Sequence, residues 1–175
     1  MSQFSIQRLR AGDAADFHQL RLQALHDAPS SFTTSLSTEE GMTPAQCAER
    51  MEGATLSAVW GARDVQGQLV ASTGLLHDAK DKVRHKATIY AVYVAPQARG
   101  QGLSRQLVEA ALAYARSQPL LDQVLLSVTS TNTAAHRLYL SLGFAAYGCE
   151  PRAIVTAEGY HDQILMHLPL GGRAD

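Results

Sequence analysis

Cysteine is nearly absent from this sequence: Cys47 and Cys149 are the two in 175 residues, far apart, without C-x-x-C spacing and without a neighbouring histidine cluster. That pattern excludes a disulfide framework and a structural zinc site, and predicts free thiols in a reducing compartment. An excess of one charge is missing too. With 15 basic and 16 acidic residues and a formal charge of -1, no overall field draws the chain to nucleic acid or to an anionic membrane. No window approaches the roughly 18 apolar residues that a membrane span needs. The opening "MSQFSIQRLRAGD" also lacks the apolar run of a secretory leader, so the expected location is cytoplasmic. The histidines show no H-x-x-x-H or H-E-x-x-H spacing, and no metal is expected. Nothing repeats at a fixed period, which removes solenoids.

What remains is a chain of 46% hydrophobic residues, long enough for one core and too short for two comfortable ones, so residues 1–175 read as a single domain. "FSIQRL" predicts a short strand, and the spacing of Phe17, Leu20, Ala24 and Leu25 predicts a helix over 13–27 with Asp13 as its cap. "SSFTTSLSTEEG" is polar and turn-rich and reads as a loop, with "TEE" at 38–40 as solvated charge. "TPAQCAERM" has Thr43 to cap a second helix and Pro44 at its first position. Three strands follow as a meander in "ATLSAVWGARD", "GQLVASTGLLHDA" and "HKATIYAVYVA". From Gln101 to Ser117 the residues Leu103, Leu107, Ala110, Ala111 and Tyr114 share one helix face. "DQVLLSVT" is then a strand, "NTAAHRLYLSLG" a helix capped by Asn132 and ended by Gly143, and "FAAYGCE" and "YHDQILMHL" two last strands. Meander followed by strand-helix-strand crossover predicts an α/β fold, a mixed sheet covered by helices.

The segment "VAPQARGQGLSRQL" concentrates two glycines and a proline between an apolar strand and the surest helix. Bare amides at a helix N-terminus, assisted by the helix dipole, suit a phosphate, and glycine lets the backbone approach it. A P-loop is excluded because no Gly-Lys-Ser or Gly-Lys-Thr occurs, and a dinucleotide fingerprint fails because position 105 is Arg. "VYVAPQARGQGLSRQLVEAAL" instead resembles the coenzyme-A signature [Q/R]-x-x-G-x-[G/A] of the GCN5-related N-acetyltransferase (GNAT) superfamily, read here from Arg99 through Gly100, Gln101, Gly102 and Leu103 to Ser104. Ser104 then stands where the family prefers Gly or Ala. "TNTAAHRLYLSLGF" resembles the family's N-x-x-A-x-x-x-Y-x-x-x-G-F helix, with Asn132, Ala135, Tyr139, Gly143 and Phe144 in register.

The resemblance implies a mostly antiparallel sheet of about seven strands with a splayed centre and about four flanking helices. It further implies an acetyl-CoA-dependent N-acetyltransferase working by direct transfer in a ternary complex. The backbone of Val92, Tyr93 and Val94 would hold the pantetheine arm, the amides from Gly100 to Arg105 the pyrophosphate, and Arg99 a phosphate. Asn132 would meet the cofactor near the thioester, or serve only as a helix cap. Tyr139 matches the family's proton donor to the thiolate, against the simpler reading of a core tyrosine. The oxyanion donor would be a main-chain N–H at a strand bulge, taken as that of Val94. Some relatives carry a glutamate five residues ahead of the Asn; here Ser127 stands there, leaving His85, Tyr90 and Asp162 as base candidates by strand location. For the acceptor, Phe32, Tyr147 and Tyr160 are read as an apolar wall and Glu150 and Asp162 as attraction for a cationic amine, polyamine-like, amino-acid or peptide. Domains of this kind often pair into homodimers. The alternative is a non-catalytic acyl-CoA-binding or regulatory module of the same fold.

Overall fold

The computed structural model describes residues 3–52 and 56–171. Strand β1 (Ser5–Leu9) leads into helix α1 (Ala14–Asp27), a one-turn helix α2 (Leu36–Glu40) and helix α3 (Pro44–Glu52). The meander is β2 (Ala58–Arg63), β3 (Leu69–His77) and β4 (Lys86–Val94). Helix α4 (Leu103–Arg116), strand β5 (Gln123–Thr129), helix α5 (Thr133–Ser141) and the hairpin β6 (Ala145–Thr156) and β7 (Gly159–Pro169) complete the chain. One seven-stranded sheet results, in the order β1-β2-β3-β4-β5-β7-β6. Every pairing in it is antiparallel except β4 with β5, the pair joined by the α4 crossover. Among the described residues no helix is long and apolar enough to cross a membrane.

Helices form where the periodicity places them, because each has an apolar stripe to bury. Phe17, Leu20 and Ala24 of α1, and Leu107, Val108, Ala111 and Leu112 of α4, pack into the cluster that also contains Val59, Val70 and Leu75 of the sheet. Burying a leucine or phenylalanine of this kind contributes about 1.5–3 kcal/mol. The start of α3 is held by reciprocal bonds, the Gln46 N–H donating to the Thr43 hydroxyl at 3.3 Å and the Thr43 N–H to the Gln46 side chain at 2.8 Å.

Residues 36–40 depart from the sequence expectation of a loop. Ser35 caps a helical turn there by accepting from the Thr38 N–H. This turn carries Glu39 inward, so that it is 1% exposed and not solvated charge. Its Oε2 lies 3.1 Å from Arg50 Nη1 and 3.6 Å from Arg21 Nη2, and its carbonyl accepts from His18 Nε2 at 2.9 Å. Two guanidiniums explain why a carboxylate is tolerated in the interior.

Candidate functional site

Strands β4 and β5 pair over three residues only, Lys86–Thr88 against Gln123–Leu125, and then diverge. The cause lies on the other side of β4. Gly74 faces Tyr90 and Ser72 faces Tyr93, so Ala91 and Val92 together oppose Thr73: a β-bulge. Ala91 takes φ 52°, a left-handed conformation that costs a non-glycine residue about 1–2 kcal/mol. The Ser72 hydroxyl, itself buried, donates to the Ala91 carbonyl at 3.0 Å and holds the bulge in place. Gly74 is required nearby, since a Cβ there would overlap the Tyr90 ring.

Between the diverging strands lies a cavity of about 710 Å³, lined by the ends of β4 and β5, by α5, and by the C-terminal part of α1 with the segment after it. The Ala95 N–H donates to the Val70 carbonyl at 2.8 Å. The alternation of an antiparallel ladder therefore turns the peptide groups of Val92 and Val94 away from β3 and toward the cleft. The bulge sits at Ala91–Val92 and not at Val94, which corrects the position read from sequence.

A second cavity of about 360 Å³ continues the first and shares Val94, Arg99, Ser104 and Leu138 with it. Ala98, Gly100, Gly102, Leu103 and Arg105 complete this part, before and at the start of α4. Gly100 and Gly102 have φ 76° and 73°, and Gly102 is the N-cap with no side chain to occupy the first-turn amides. This geometry also shifts the register of the glycine motif. Its two small positions coincide with the left-handed Gly100 and Gly102, which puts Gln97 at its head; Ser104 lies within α4, where no glycine is needed. Arg99 Nε donates to the Val94 carbonyl at 3.1 Å, and Arg105 is tied to Ser141 at 2.6 Å. Gln101 lines neither cavity.

Asn132 and Tyr139 both reach the large cavity from α5. Asn132 is the helix cap, its Oδ1 accepting from the Ala135 N–H at 3.1 Å. Tyr139 is 6% exposed, with its ring edge-on to Phe144 at 5.9 Å, and burial pushes its phenol up to about 12. At neutral pH it holds its proton.

The acceptor residues named from sequence divide sharply. Phe32 lines the cavity, while Tyr147, Glu150, Tyr160 and Asp162 do not. Tyr147 and Tyr160 are 57% and 59% exposed, the first edge-on to His167 and the second beneath the Arg152 guanidinium at 3.8 Å. Asp162 accepts from the Arg152 N–H at 2.7 Å, which secures the left-handed turn at Arg152, φ 54°, where β6 bulges. Of the base candidates, Tyr90 lines the cavity and His85 and Asp162 lie outside it.

Three cavity groups escaped the sequence reading. Asp27, at the last residue of α1, accepts from the Tyr93 hydroxyl at 2.5 Å, and that bond first, with His26 second, holds its carboxyl below the usual carboxylate range. The Tyr93 phenol is pushed up, by burial and then by Asp27. Arg21 and Gln163 are each 5% exposed and also face the cavity. For Arg21 a signal existed: it stands one turn after Phe17, inside the apolar stripe of α1, where an unpaired charge is not expected. The expectation of no metal rested on spacing along the chain, yet folding brings ligand atoms of His18, Glu39 and Cys47 within 4.8 Å of one another. The guanidiniums of Arg21 and Arg50 on Glu39 oppose a cation there.

The family described as "Acetyltransferase (GNAT) family" matches residues 22–144. A mycothiol acetyltransferase of Thermobispora bispora is 54% identical over 59 residues, which are 34% of this chain and 20% of that protein. The "[Ribosomal protein bS18]-alanine N-acetyltransferase" of Salmonella typhimurium is 33% identical over 88 residues, 50% of this chain and 59% of that one. The matched segment thus spans between a fifth and three fifths of these relatives. Among solved structures, a phosphinothricin acetyltransferase from Sinorhizobium meliloti in complex with acetyl-CoA has TM-score 0.82 at 17% identity, covering 97% of this chain and 90% of its own. A spermidine N-acetyltransferase from Vibrio cholerae, in complex with CoA and spermine, has TM-score 0.75 at 21% identity and 98% coverage of both chains. At such identities these structures are similar in fold.

Proposed function

This chain belongs to the acetyltransferase (GNAT) family, and from that premise we propose that it is an acetyl-CoA-dependent N-acetyltransferase that moves the acetyl group directly to a primary amine. The observation that carries the reading is the continuity of two cavities along β4, one ending in the bare amides of α4 and the other floored by a buried, protonated Tyr139. Acetyl-CoA, when bound, supplies the activated acyl carbon and a thiolate leaving group. The amides at the start of α4, turned outward by Gly100 and Gly102, bind the pyrophosphate with Arg99 and Arg105 beside them. The peptide groups of Val92 and Val94 pair with the pantetheine amides like an added strand. Next to the bulge, the Val92 N–H is aimed into the cleft and takes the oxyanion role first read at Val94. Tyr139 would donate its proton to sulfur as the C–S bond breaks, and the proton shed by the attacking amine would restore the phenol through water in the cavity. Ser127 lines the cleft and cannot act as a base.

Acetyl-CoA at about 100 times its Kd is expected to stabilise the fold by about 2.7 kcal/mol, seen as a Tm rise of about 5–10 °C, while NAD and ATP at the same concentrations leave Tm unchanged. Equal shifts from all three, or none from acetyl-CoA, count against the reading. Gly102→Ala tests the loop itself. A Cβ at Gly102 meets nothing closer than 3.7 Å, so the penalty is the backbone strain of φ 73° and not a clash. Strain of about 1–2 kcal/mol, relieved by rotating the amides away from the ligand, predicts roughly tenfold weaker CoA binding by calorimetry.

A further inference from the structure

Among the described residues, three charged side chains line the large cavity: Arg21, Asp27 and Arg99. Arg99 also borders the smaller cavity and is bound to the Val94 carbonyl, which places it at the phosphate end. Arg21 and Asp27 both come from α1. The surroundings of Arg21 are unusual for a structural arginine. It shares one carboxylate with Arg50, and Arg50 has the better part of it: Glu39 Oε2 lies 3.1 Å from Arg50 Nη1 and 3.6 Å from Arg21 Nη2, the latter beyond ordinary hydrogen-bond length. Arg50 is 26% exposed and partly solvated, whereas Arg21 is 5% exposed, so the loosely paired charge in the interior is that of Arg21. Arg21 Nε is buried with no hydrogen-bond partner among the described residues. The Phe32 ring lies under the guanidinium at 5.1 Å and holds the face of the fork against the cavity wall. Among the described residues, Tyr90 of β4 is the remaining titratable group against it, a phenol raised by burial and uncharged at neutral pH.

We propose that the acceptor is a primary amine that also bears a carboxylate, an amino acid or a related amino-carboxylate, and that Arg21 binds that carboxylate. The inference rests on the acetyl-transfer reading above and names its substrate class. A carboxylate supplies what the site lacks: a close anion for a cavity-lining guanidinium that Glu39 holds only at 3.6 Å, met in the planar two-pronged geometry that arginine favours. Asp27 lies six residues further along α1, about 9 Å by helical rise, and presents the opposite sign to the same cavity. The wall therefore complements a molecule with an ammonium toward β4 and a carboxylate toward α3. A polyamine would instead set its charge against a buried guanidinium.

The test compares matched pairs in thiol release from acetyl-CoA, each amino acid against the amine that lacks its carboxylate and against its amide, with spermidine and a peptide bearing a free N-terminus beside them. For at least one pair, kcat/KM is expected to favour the carboxylate by about 100-fold or more. In Arg21→Met, which leaves the Arg50–Glu39 pair intact, that discrimination collapses through KM while acetyl-CoA still raises Tm, the sign that the variant has folded. Turnover indifferent to the carboxylate, or a preference for spermidine or the peptide, overturns the inference and leaves acetyl transfer standing. If acetyl-CoA binds and no amine reacts, the same pairs are compared by their Tm shift in the presence of CoA, and the absence of a carboxylate-dependent shift also overturns it. Failure of acetyl-CoA to bind at all overturns the underlying reading instead.

Discussion

Tyr139→Phe is expected to lower kcat for amine acetylation by about 10²–10⁴-fold, the usual contribution of a positioned general acid, with KM for acetyl-CoA changed little. The substitution removes one oxygen from a residue that is 6% exposed and whose ring packs on Phe144, so the aromatic contact survives. Nothing else in the fold depends on the hydroxyl, which has no hydrogen-bond partner among the described residues. Tm is accordingly expected to stay within about 2–3 °C of the parent, since no partner is left unsatisfied. A thiol ester with a more acidic leaving group needs less help, and the deficit should shrink with such a donor. The pH dependence carries a sign of its own. Because burial raises the phenol to about 12, it stays protonated through the neutral and mildly alkaline range, and the parent enzyme shows no loss of kcat from this group below about pH 10. For stability, the native state holds this proton more tightly than the unfolded chain, so its contribution is complete below about pH 10 and is lost as the pH rises toward about 12. An unchanged kcat in the variant would remove Tyr139 from the chemistry; a parent that binds acetyl-CoA but acetylates no amine would favour the non-catalytic module, for which Ser127 in the cleft is the motive.

The largest stability effect is expected at Glu39. Glu39→Gln strips the charge from a carboxylate that is 1% exposed and faces Arg21 and Arg50, leaving both guanidiniums without a counter-ion. Breaking one partner of a buried ionic group costs about 3–5 kcal/mol, because the remaining charge stays desolvated and uncompensated. For a chain of this length that corresponds to a fall in Tm of about 6–20 °C, measurable by calorimetry or urea unfolding. Glu40→Gln, at the exposed neighbouring position, is the control and is expected to change stability by less than about 0.5 kcal/mol. Equal effects at the two positions would mean that α2 does not hold Glu39 inside. The same variant weakens the placement of Arg21 beside the cavity, so its loss of activity should appear chiefly in KM for the acceptor.

Much of the cofactor half was legible in the residues themselves. Helices α1, α3, α4 and α5 lie within a few residues of where apolar spacing and caps placed them, and the crossover between β4 and β5 follows from the order of elements. The acceptor half was not. Tyr147, Glu150, Tyr160 and Asp162 were chosen because they sit in the last hairpin, but β6 is the edge of the sheet, Tyr147 is spent on solvent and His167, and Tyr160 and Asp162 of β7 are spent on Arg152 and its turn. Residues 36–40 looked like a loop because polar composition hides a single turn whose one inward residue is an acid.

The chain's own contribution is what neighbouring residues decide among themselves: glycines at 100 and 102 take the left-handed conformation, and the apolar stripe that follows commits to a helix. Pairings across long stretches of chain belong to the tertiary structure alone. Tyr93 finds Asp27 across 66 residues, Arg21 and Arg50 converge on Glu39, and Ala91 is held in a left-handed bulge by Ser72. Each of these needs a partner whose position is set only when helices and sheet have packed. Low local dielectric then gives a few such polar contacts the energy to shape the cleft and the charge it offers to a substrate.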